Sequence, residues 1–93
     1  MMEYKFYIGS NNKTKRLERF KIQQIFNKRF MSFSMYEQIG FWKEQKEKSA
    51  VVSILLKNKI KKSDRNDLIE ELKGELKQDS IGLSIAKTNS KFL

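Results

Sequence analysis

Hydrophobic and polar positions alternate, then switch period, in an order that predicts six elements. Residues 3–8 place Tyr4, Phe6 and Ile8 on one face and Lys5 and Tyr7 on the other, the period-two pattern of a half-buried strand. The turn formers Gly9-Ser10-Asn11-Asn12 end it. Thr14 is placed to cap a helix running to about Phe30, with Ile22, Ile25, Phe26 and Phe30 on one stripe. Leu17 and Phe20 fall off that stripe and are expected to pack sideways near the helix start. A second strand is expected over 33–43, with Phe33, Met35, Ile39 and Phe41 on one parity and Tyr36, Gln38, Gly40 and Trp42 on the other. Glu37 interrupts the apolar set, which predicts a bulge or a later start. The polar run 43–48 reads as a hairpin tip, and Ala50–Leu56 as the strongest strand, an aliphatic run rich in β-branched residues. After a basic loop, Ser63 or Asp64 should cap a second helix with Leu68, Ile69, Leu72 and Leu76 as its stripe and Gly74 in its middle. Ile81, Leu83 and Ile85 mark a last strand.

The order β-α-β-β-α-β predicts a ferredoxin-like α+β plait: a four-stranded antiparallel sheet with two helices on one face. A winged helix would need a third helix, and no Gly or Pro divides residues 14–30. With 93 residues, no linker and no repeat, a single domain over 1–93 is expected, its core gathering Phe6, Ile22, Phe26, Val52, Ile54, Leu72 and Leu83.

Composition narrows the chemistry. The chain has neither His nor Cys, which removes zinc fingers, Cys or Ser-His nucleophiles, and disulfides. Glu70 and Glu71 diverge on a helix, and Glu44 and Glu47 sit among lysines. Asp64-x-x-Asp67 reads as a helix N-terminal pattern, and Gly9–Lys13 lacks full P-loop spacing and reads as a turn. No catalytic residue, metal site or cofactor is expected, and the sequence reads as that of a protein that is not an enzyme. No secretory leader and no apolar run near about 18 residues is visible, so a cytoplasmic protein with no membrane partner is expected.

Charge changes the picture further. Residues 1–62 carry 15 basic and 5 acidic side chains; residues 63–93 carry 5 and 6. Part of the lysine excess fits A/T-rich coding, since Lys, Ile and Asn make up 31 of the 93 residues, but that does not explain the asymmetry. Lys13, Lys15, Arg16, Arg19 and Lys21 around the first helix, with Lys43, Lys46 and Lys48 near the hairpin, are the candidates to neutralise nucleic-acid phosphates. The leading expectation is a basic module contacting DNA or RNA backbone. Its alternative is a protein-interaction or inhibitor module from a mobile element, docking on an acidic or nucleic-acid-binding partner. A third reading is a small enzyme that assembles its site across a dimer.

The sheet face away from the helices should carry Lys5, Tyr7, Tyr36, Gln38, Trp42 and Ser84. Its aromatics Tyr7, Tyr36 and Trp42 serve either a homodimer interface, with Gly40, Gly82 and Ala86 allowing close approach, or a stacking platform for single strands. Phe6-Tyr7-Ile8-Gly9-Ser10-Asn11 resembles the first RNA-contacting motif of the RNA-recognition-motif family, although 48–54 lacks that family's second motif, with its stacking aromatics and Gly. Gly40-x-Trp42, Glu47-x-Ser49-x-Val51-Val52-x-Ile54 and Gln78-x-Ser80-Ile81 together resemble a small bacterial domain family of uncharacterised function, which implies a plait and no particular activity.

Overall fold

The computed structural model describes residues 1–90, apart from the side chain of Trp42. Six elements follow in the expected order: β1 (Met2–Ile8), α1 (Arg19–Asn27), β2 (Ser34–Trp42), β3 (Gln45–Leu56), α2 (Lys62–Leu76) and β4 (Gly82–Lys87). The strands form one sheet in the order β2-β3-β1-β4, each neighbouring pair antiparallel. This is the ferredoxin-like plait.

Strand alternation turns Tyr4, Phe6 and Ile8 of β1 and Ala50, Val52 and Ile54 of β3 towards the helices, where all six are buried. Ile22, Ile25 and Phe26 of α1 and Leu68, Leu72 and Leu76 of α2 close over them. Phe26 is the centre. Its ring meets Phe6 edge-on at 5.3 Å, Phe33 at 5.8 Å and Phe30 at 6.1 Å between centroids. Leu83 packs against this core from the edge strand and is only partly buried. The Tyr4 hydroxyl accepts a hydrogen bond from Ile60 N–H at 3.0 Å, fixing the approach to α2.

Five local expectations are corrected. Helix α1 starts at Arg19 rather than near Thr14. Asn11 holds the preceding loop instead: its side-chain carbonyl accepts from Lys13 N–H at 2.8 Å and Thr14 N–H at 3.1 Å, and its backbone carbonyl accepts from Lys15 N–H at 2.8 Å. That makes a compact turn where a helical first turn would lie. Leu17 is buried from this loop, whereas Phe20 is 70% exposed rather than packed.

The hairpin tip is just Lys43-Glu44, both with positive φ (48° and 67°), as a two-residue turn of the primed type requires. Strand β3 therefore begins at Gln45, and residues 39–48 project beyond the end of β1 as a two-stranded ribbon. The ladder runs unbroken through Glu37, opposite Ala50, with no bulge. Lastly, α2 is preceded by Lys61 with no side-chain cap, so neither Ser63 nor Asp64 serves as one.

Candidate functional site

Two surfaces, one on each side of the sheet, gather residues singled out from the sequence. The first is the open face. Register places Tyr36, Val51, Tyr7 and Gly82 side by side across all four strands, and Ser34, Ser53, Lys5 and Ser84 in the next row. Val51 is 0% exposed although it belongs to this face, between Tyr7 (36% exposed) and Tyr36 (47%). The two phenol rings therefore flank a dry aliphatic patch. Tyr7 leans towards Gly82, whose missing side chain leaves room for the ring. Lys5 pairs with Glu3 at 3.9 Å, so this face carries little net charge. Trp42 has its backbone in β2; its side chain lies outside the described residues.

The second surface is a cleft of 720 Å³ between the β1–α1 loop and the projecting ribbon. Lys15, Arg16 and Arg19 line one wall, and Lys46 and Lys48 the other. Five of the eight cations singled out from the sequence thus meet in one place. Lys13 lies on the same loop without lining the cleft, and Lys43 occupies the ribbon's turn. Lys21 goes elsewhere: it pairs with Glu18 at 3.7 Å and faces a groove beside α2 with Lys28, Glu71 and Glu75.

The walls are fixed to each other. Ser10 Oγ donates to the Lys48 carbonyl at 2.8 Å, and Gln78 Nε2 donates to the Ser10 carbonyl. Arg19 holds Glu37 through two parallel hydrogen bonds, 2.8 Å from Nε and 2.5 Å from the guanidinium NH2. That pair raises the Arg19 pKa and lowers that of Glu37 below the ordinary carboxylate value; the side-chain hydrogen bond is the main cause in each. Arg19 is thereby largely neutralised. Lys15, Arg16 and Lys46 make no ion pair among the described residues, and they set the field of the cleft.

The cleft itself is not visible in the sequence, because the polar run 43–48 reads as a loop tip. Glu37 and Asn11, which position the walls, were legible only as an oddity of parity and a turn former.

No family model matches the chain, and none of the curated proteins matches it in sequence. In three dimensions it is similar to a phage SAM lyase in its apo state, with a TM-score of 0.63 and 19% sequence identity over 91% of this chain and 78% of that one. The plait is shared between them. An enzyme is thus built on this frame, which corrects the expectation that the chain is not an enzyme. Lack of His and Cys removes the acids, bases and nucleophiles those residues supply; it leaves open reactions whose substrate brings its own leaving group. Among the described residues no three carboxylates converge as metal ligands, and no helix is long and apolar enough to cross a membrane.

Proposed function

We propose that this protein is an enzyme acting on S-adenosylmethionine, cleaving a carbon–sulfur bond at its sulfonium as a lyase. The observation that carries this reading is the plait shared with the phage SAM lyase over 91% of the chain. The chemistry is compatible with the residues at hand. A sulfonium takes the electron pair of the broken bond and departs as a neutral thioether, so no acid need protonate it. The carbon it leaves forms its new bond with the substrate's own carboxylate oxygen, closing a lactone without an enzyme base. Catalysis then rests on orientation and electrostatics, which hydroxyls, aromatic rings and backbone dipoles supply.

Charge selects the surface. S-adenosylmethionine carries a sulfonium and an ammonium against one carboxylate, a net positive ligand that a cleft of cations repels. The open face is nearly neutral there, and its two exposed tyrosines suit both a flat purine and a cation set over a ring. Ser34, Ser53 and Ser84 add hydroxyls in the adjoining row. A flat sheet cannot enclose a ligand of this size. A second copy set against the open face provides the opposite wall, so the aromatic patch serves as interface and site together.

Incubation with S-adenosylmethionine, followed by chromatography and mass spectrometry, tests the reading. Substrate should disappear as an uncharged thioether nucleoside accumulates, and Tyr36→Ala should slow this about tenfold or more while the protein stays folded. Intact substrate after prolonged incubation with folded protein overturns the lyase assignment. Light scattering tests the second wall, since turnover by a strict monomer would refute it.

A further inference from the structure

We infer that the cleft between the β1–α1 loop and the β2–β3 ribbon binds single-stranded nucleic acid, with phosphates between its cationic walls and a base on Phe41. This site lies on the helix side of the sheet, opposite the surface proposed for S-adenosylmethionine, and stands or falls independently of it.

Three features converge. The loop that carries two of the cations has a fixed backbone. Lys15 adopts a left-handed backbone (φ 62°), an uncommon conformation for a side chain of this kind, and its N–H is held by the Asn11 carbonyl. Asn11 is itself buried, with its side chain bonded to the Lys13 and Thr14 amides and to Glu18. The loop thus presents Lys15 and Arg16 from a fixed base.

The cations of the cleft also outnumber its carboxylates. Glu47 is the lone carboxylate along its lining, and a Cβ on Gly9 would stand 3.0 Å from the Glu47 Oε1, so that carboxylate is turned to the end of β1. Glu37 is engaged by Arg19. Anions gain most where several cations converge without carboxylate partners.

The third feature separates a polynucleotide from a small phosphate. On the ribbon, Phe41 pairs across the strands with Lys46 and Ile39 with Lys48, and strand alternation puts all four side chains on the helix side. Phe41 is 69% exposed. An uncovered aromatic directly beside a lysine is the combination that stacks a base while its phosphate is neutralised. A duplex keeps its bases stacked inside and gains nothing from Phe41.

The test is fluorescence anisotropy of a dye-labelled oligothymidylate, set against a duplex of equal length, at two salt concentrations. The single strand should bind at ~50 mM salt and weaken as salt rises. Lys46→Gln with Lys48→Gln should lower the magnitude of the log–log salt slope by about 1.4, two contacts' worth for a single strand. Phe41→Ala should weaken single-strand binding about tenfold and leave duplex binding unchanged. Lys15→Gln with Arg16→Gln, on the other wall, provides an independent pair should the ribbon variant fold poorly. Absence of single-strand binding at low salt overturns the inference. So does binding by both folded double variants with the wild-type salt slope. Equal affinity for duplex, with no effect of Phe41→Ala, overturns the single-strand assignment.

Discussion

The ring of Tyr7 occupies the space that a side chain on Gly82 would need: a Cβ there would stand 3.1 Å from Tyr7 Cβ and 3.3 Å from its Cδ2. The two residues are partners across the β1–β4 ladder, so the smallness of one fixes the tilt of the other. Gly82→Val should therefore cost about 1–2 kcal/mol in urea unfolding, by overpacking. In a Tyr7→Ala background the same change should be neutral or stabilising, since valine favours strands. Equal costs in both backgrounds would show that the ring does not hold its place through Gly82.

Phe26→Ala should cost about 3–5 kcal/mol, because three other phenyl rings close around a wholly buried side chain and cannot collapse into the void. A melting temperature equal to wild type would be incompatible with this core.

Gly74 lies within α2, and a Cβ there would meet nothing within 4 Å. Gly74→Ala should stabilise the protein by about 1 kcal/mol, the difference in helix propensity. Thermal denaturation measures it; a loss of stability would mean that the glycine serves a contact outside the single chain.

Glu71 ties the helices together. It accepts hydrogen bonds from Lys28 and, at 2.8 Å, from Arg29, and those bonds hold its carboxyl pKa below the usual 4.5. A carboxylate whose pKa is lower folded than unfolded stabilises the protein at neutral pH, and that contribution fades as pH falls from the ordinary carboxylate value through the lowered one. Glu71→Gln should accordingly reduce stability at pH 7 and flatten its decline below about pH 4.5. An acid limb unchanged from wild type would place the titration elsewhere.

The elements with a buried face were legible in the sequence. Phe6, Val52, Ile54, Ile22, Phe26 and Leu72 announce themselves by period, because one side of each element must leave water. Residues 45–48 belong to a strand wet on both sides, so no alternation marks it. The start of α1 is obscured because Asn11 gathers the Lys13, Thr14 and Lys15 amides into a turn, a local alternative to the helix that propensity alone does not decide. Glu37 looked like a fault in β2 until Arg19, eighteen residues earlier, came to lie against it. As for the candidate site, the cations were visible individually; their convergence depends on how far the ribbon projects. The possibility of catalysis was hidden for a different reason, since a reaction driven by its own leaving group requires no signature residue.

The ribbon that forms one wall of the cleft has β-sheet neighbours only from Ala50 onward, where β1 joins the ladder. Past that point two strands bond to each other alone, steadied by Ser10 at Lys48 and, at the root of the ribbon, by the Arg19–Glu37 pair. A two-stranded segment of this kind is marginal by itself. Its amides should exchange with solvent deuterium through local opening, well before those of Phe6 and Val52 in the central strands. The width of the cleft is then governed by two side-chain latches rather than by the core. Arg19→Ala should accelerate exchange along residues 39–48 and leave the centre of the sheet as slow as before.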